Sequence, residues 1–103
     1  MVSRGEVWWY EPPDDVRRPY LILSRDEAIT VLRSVLAVPA TRTVRGIPTE
    51  VPLDEDDGMP TACVVTVDNV TVVERAYLTS RITTLSPLRL RQVCEALTFA
   101  TAC

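Results

Sequence analysis

The apolar residues of this chain never run far before something interrupts them. Prolines, glycines or acids cut residues 4–85 into short stretches rich in Val, Ile, Thr and aromatics, the composition of β-strands. RGEVWWY (4–10) reads as a first strand and the Pro-rich EPPDDVR (11–17) as a loop. PYLILS (19–24) is a buried strand that Pro19 can only begin, because proline brings no N–H to a ladder. Residues 26–30 suit one helical turn, and 32–40 form a third strand with Pro39 marking a bulge or an edge. TRTVRG (41–46) is turn-like, IPTEVPL (47–53) alternates as an edge strand does, and DEDDGMP (54–60) is a loop. Residues 62–67 and 70–74 are strands around an Asp68–Asn69 turn, and SRITTL (80–85) is the last strand.

After Leu85 the period changes. Ser86 is a good N-cap and Pro87 suits the first helical position. Leu90, Val93, Cys94, Leu97 and Thr101 then recur at helical spacing, which predicts one stripe packed on the sheet. Six or seven short strands closed by one helix imply a mainly β, α+β chain, a small antiparallel barrel or sandwich with a covering helix. At 103 residues a single domain over 1–103 is expected.

What the composition lacks is as informative. There is no His, and all 11 basic residues are Arg. A histidine base or metal ligand, a Schiff-base lysine and a P-loop lysine are all excluded. The formal charge of −3 does not announce a nucleic-acid binder. It hides a segregation: Arg17 to Arg45 holds six Arg against Asp26 and Glu27, while Glu50 to Asp57 holds five acids and no base. A positive face can therefore exist on an acidic molecule. Cys63, Cys94 and Cys103 are odd in number and spaced neither as a zinc pair nor as CxxC, so free thiols in a reducing compartment are expected. The opening MVSRGEVWWYEPPDD has no apolar core of signal-peptide length. No run approaches the ~18–20 residues of a membrane span. A soluble cytoplasmic domain is the expectation.

Four clusters can carry chemistry. Arg17-Arg18-Pro19 stands where a loop enters a strand, and the proline biases the preceding Arg towards extended geometry. A guanidinium held at a strand mouth suits a pair of phosphate oxygens; the plain alternative is a solvated pair of charges. In Pro39-Ala40-Thr41-Arg42-Thr43-Val44-Arg45-Gly46 hydroxyls and guanidiniums alternate, as a phosphodiester cradle needs and as an ordinary polar connection also shows. Asp68-Asn69 offers a carboxylate and an amide, or ordinary turn chemistry. In Trp8-Trp9-Tyr10 neighbours face opposite ways, so one Trp is core and the other is free to stack on a base or to pack in an interface. The acidic DEDDG (54–58) lacks EF-hand spacing and reads as a solvated loop.

In this order, RGEVWW, RRPYLILSRD, VPATRTVRGIPTEVPL, CVVTVDNV and ITTLSPLRLRQVCEAL resemble the MazF/PemK family of toxin ribonucleases over nearly the whole chain. The resemblance implies an SH3-like (CcdB/PemK-type) antiparallel barrel with a C-terminal helix, a homodimer, and a MazE-like cognate antitoxin whose tail blocks the RNA groove. It implies cleavage of single-stranded RNA at a short sequence, with no metal and no cofactor. Arg18 matches the family's catalytic Arg before the second-strand Pro, Thr41 its catalytic Thr or Ser, and Asp68 an acidic or polar position near the groove. One branch has an Arg where this chain has Thr66, and the loop between the first two strands is shorter than in several relatives.

RNA carries its own nucleophile. Attack of the 2′-hydroxyl on the adjacent phosphorus leaves a 2′,3′-cyclic phosphate and a 5′-hydroxyl, and needs a proton acceptor, a donor for the leaving oxygen and donors for the phosphorane charge. Arg18 is expected to meet that charge, with the leaving group as a second role, Thr41 to hydrogen-bond a non-bridging oxygen or orient the 2′-hydroxyl, and Asp68 is the candidate base. Arg17, Arg42, Thr43, Arg45 and Asn69 are expected RNA contacts. The rivals are a CcdB-like gyrase-binding toxin, disfavoured because Phe99 is the only late aromatic, and an inactive barrel that binds RNA or antitoxin.

Overall fold

A computed structural model describes all 103 residues. Seven strands, β1 (Glu6–Tyr10), β2 (Arg18–Ile22), β3 (Ser34–Thr41), β4 (Glu50–Leu53), β5 (Cys63–Thr66), β6 (Thr71–Glu74) and β7 (Leu78–Thr84), form one antiparallel sheet; six follow the order β4-β5-β3-β2-β1-β7 and β6 pairs with β3 off that path. A one-turn helix, α1 (Asp26–Ile29), follows β2, and α2 (Pro87–Thr101) ends the chain. The mainly β class with a C-terminal helix is as expected.

Strand β3 organises the sheet. One edge pairs with β2; the other takes β6 along Ser34–Ala37 and then β5 along Ala40–Thr41. Pro39 falls in the gap between those two partners, where a missing N–H breaks no ladder bond on that edge. Strands β5 and β6 therefore do not form the hairpin implied by two strands around Asp68–Asn69. They lie end to end beside β3, joined by a 3₁₀ turn over Val67–Asn69. Only Glu50–Leu53 of the alternating 47–53 stretch is strand, and it is an edge, as its two prolines suggested. Strand β4 does not pair with β7. The gap is bridged by Thr83, whose hydroxyl donates to the Asp57 carbonyl (2.9 Å), and by Arg89, whose Nε reaches Asp57 Oδ1 at 3.0 Å.

Alternation splits the core in two. Val7, Leu21, Val38 and Val65 lie on one side of the sheet with Val93 and Ala96 of α2. Ile22, Val35, Ala37 and Val73 lie on the other with Ile29 and Leu78, flanked by Trp8, Tyr10 and Tyr20. Each such branched side chain contributes about 1.5–3 kcal/mol by leaving water. Helix α2 starts as predicted: Ser86 Oγ accepts from the Arg89 N–H (3.2 Å) and Pro87 follows. Its buried stripe runs through Val93 and the small Ala96, whereas Thr101 is exposed and bonds back to the Leu97 carbonyl.

On the second face Glu6 is a buried carboxylate with three donors: the Ser3 N–H (2.7 Å), Trp8 Nε1 (3.0 Å) and Arg81 Nη1 (3.2 Å). All three cysteines are free. No helix is long and apolar enough to cross a membrane.

Candidate active site

Arg18 opens β2 opposite Tyr10, and Thr41 closes β3 opposite Val64. Because β2 and β3 are antiparallel neighbours, the start of one lies beside the end of the other. The two side chains line one cleft of about 450 Å³, together with Trp9, Arg17 and Arg42. Its floor includes Pro19, Ala40, Met59 and Cys63. Met59 is the one apolar side chain within the acidic 54–60 loop. Met59 is buried, immediately after the exposed or half-buried residues 54–58 of the DEDDG stretch.

The cleft holds three guanidiniums and no carboxylate. This resolves the acidic total charge: the positive face forms where loop and strand ends concentrate arginine, and it suits an anion. Arg18 projects into solvent from a strand whose next residues are packed, so its position is set by backbone. Arg17 meets two neighbours. Its guanidinium carbon sits 3.8 Å from the centre of the Trp9 ring, and its Nε lies 3.5 Å from the Glu11 carboxylate. The Thr41 hydroxyl accepts from the Thr43 N–H (3.2 Å), which leaves its own proton free to donate into the cleft.

Burial pushes the Cys63 thiol up, helped by the charge of Asp57. Burial also raises the Tyr20 phenol, although the nearby Arg18 charge pulls the other way.

The remaining predicted residues lie apart from this lining. Asp68, on the 67–69 turn, accepts from the Thr49 hydroxyl at 2.5 Å, and Asn69 is exposed beside it. Thr43 and Arg45 are exposed on the connection after β3, where the Arg45 and Gly46 N–H groups donate to the Glu50 carboxylate (2.9–3.2 Å). Thr66, at the position of the branch arginine, is buried with its hydroxyl unpartnered. The sequence reading left open which tryptophan is packed. Trp8 turns to the second core and Trp9 to the cleft, each half-buried. Strand alternation carried that signal.

Residues 3–100 match the model of the PemK-like, MazF-like toxins of type II toxin–antitoxin systems. The chain is 43% identical over 102 residues to the probable endoribonuclease MazF5 of Mycobacterium tuberculosis, covering 98% of this chain and 94% of that protein. It is 39% identical over 103 residues to the probable endoribonuclease MazF2 of the same species, covering 99% and 100%. Among solved structures it resembles the M. tuberculosis toxin MazF-mt6, with a TM-score of 0.86 and 32% identity over 94% of this chain and 96% of that one. It also resembles an endoribonuclease solved with its cognate antitoxin from a mycobacterial species, with a TM-score of 0.87 and 25% identity over 99% and 96%.

Proposed function

Because the chain belongs to the PemK-like, MazF-like toxins of type II toxin–antitoxin systems, we propose that its arginine cleft cuts single-stranded RNA. The observation that carries this reading is the convergence of Arg18 and Thr41 in one cleft lined by three guanidiniums. The nucleophile is the substrate's own 2′-hydroxyl, the bond formed is O2′–P, and the bond broken is P–O5′. Arg18 meets the charge that develops on the phosphorane, a task its planar fork suits. It is not the acid, because a guanidinium holds its proton too tightly to release it to a leaving oxygen. Thr41 donates its free proton to a non-bridging oxygen. Arg17 and Arg42 hold flanking phosphates. With no carboxylate in the lining, the 2′ proton leaves to water and the 5′ oxygen takes one back.

Asp68, engaged by Thr49 and set apart from the cleft, is assigned to the groove's border rather than to proton transfer. Arg45, Thr43 and Asn69 are assigned to more distant nucleotides.

Purified protein incubated with EDTA and a mixed-sequence single-stranded RNA tests this. Fragments with 5′-hydroxyl and 2′,3′-cyclic phosphate ends are expected. Intact RNA overturns the proposal, and gyrase inhibited by the same preparation replaces it with the CcdB-like reading.

Two partners complete the proposal. A cognate antitoxin covers the cleft, supported by the relative solved with its own antitoxin. A second copy of the chain covers the exposed apolar surface where Leu36 faces Val72 across β3 and β6 beside Leu32.

A further inference from the structure

Trp9 is not needed for the reaction just described, yet it stands in the wall of the same cleft. Its place there is fixed on both sides, opposite Pro19 of β2 and Ser80 of β7. Arg17 covers the ring, and that cover is loosely held. The Arg17 side chain is 51% exposed and its ion-pair partner Glu11 41% exposed, so solvent screens the pair and little holds the guanidinium in place.

We propose that Trp9 is a nucleobase-stacking subsite beside the scissile phosphate, with Arg17 as its displaceable cover. In the free protein the guanidinium occupies the stacking position over the indole. A base of the bound strand takes that position, and Arg17 swings out to a phosphate of the same strand. Two features favour this exchange. A base has a larger π-face than a guanidinium, and the released arginine finds a new anion close by. The subsite thus helps determine which nucleotide is presented next to Arg18 and Thr41. The inference rests on RNA as the ligand of the cleft.

The test uses ligands that cannot be cut: a mixed-sequence 2′-O-methyl RNA, whose blocked 2′ oxygen cannot attack, and an abasic phosphodiester strand of equal length. The base-containing strand is expected to quench tryptophan fluorescence and the abasic strand is not. The quench persists in W8F and is largely lost in W9F, which places it at Trp9. Trp9→Ala is expected to weaken the base-containing strand about 5- to 100-fold while leaving the abasic strand unchanged, and Trp9→Phe restores most of the affinity. Equal loss on both strands, no loss on either, or a quench that follows Trp8 overturns the inference. If W9A does not fold, the W8F and W9F comparison decides. No step requires turnover. Stacking without cleavage by the wild type therefore leaves this inference standing and removes only the proposed reaction, and cleavage without stacking does the reverse.

Discussion

At the residue scale, the proposed reaction divides the electrostatic work between a charge on Arg18 and a dipole on Thr41. Removing one preorganised donor of this kind usually costs about 10²–10³-fold in rate. Arg18→Ala and Thr41→Ala are each expected to show that loss in single-turnover cleavage of RNA, with folding unchanged by circular dichroism. Asp68→Asn is expected to lose less than about tenfold; a loss as large as that of R18A would return Asp68 to proton transfer.

Family resemblance pointed to Arg18 and Thr41, and the proline after Arg18 gave a physical reason for its placement. The setting of Asp68 was not legible in the same way. Its partner Thr49 and its distance from the cleft depend on how β5 and β6 pass β3, which no local pattern records.

Glu6 shows a different residue-scale effect. Burial by itself would raise its pKa, but the bonds from Trp8, Ser3 and Arg81 outweigh that and hold it below its ordinary value of 4.5. Asp57 is likewise held below 3.8: burial opposes, and the Asp54 N–H and Arg89 prevail. A carboxylate with a depressed folded pKa adds stability that is complete above its unfolded value and is lost as pH falls through the folded one. Chemical denaturation is therefore expected to show stability flat near neutrality and falling below about pH 4.5. Glu6→Gln should flatten that fall and lower stability at pH 7.

At the scale of elements, α2 was legible because its signals are local. Ser86, Pro87 and the apolar stripe all lie within the segment they specify. Ser86→Ala is expected to cost about 1 kcal/mol in urea unfolding, the usual value of an N-cap. The strands were legible as strands but not in their pairing. Pro39 was a correct sign of irregularity, yet the sequence could not say that the irregularity is a change of neighbour.

Gly58 belongs to the same scale. It ends the 55–57 turn at φ 90°, and an added Cβ would overlap the Thr83 side chain, lying 2.8 Å from its Cβ. The left-handed backbone alone costs an L-residue about 1–2 kcal/mol. Gly58→Ala is therefore expected to lower stability by more than that, since it also pushes apart the contact that bridges β4 and β7.

At the scale of the whole molecule, net acidity and a cleft lined by arginine coexist because the charges are sorted by position in the chain. Three cleft arginines on phosphates predict that log affinity for the uncleavable RNA falls with log salt at a slope of about −2, at ~0.7 per single-strand contact. A slope near zero would remove the phosphate contacts from the proposal. Sedimentation is expected to find a dimer, and Leu36→Glu is expected to shift it towards monomer by placing a charge beside the exposed Val72 and Leu32.

Arg18 and Thr41, the pair proposed to meet the scissile phosphate, are anchored at strand ends, whereas Arg17 and Arg45 ride on the two connections that frame them, residues 11–17 and 42–49. Blades and guide are separate parts. Grafting either connection from another toxin of this kind should redirect the cut to a different short sequence while turnover survives.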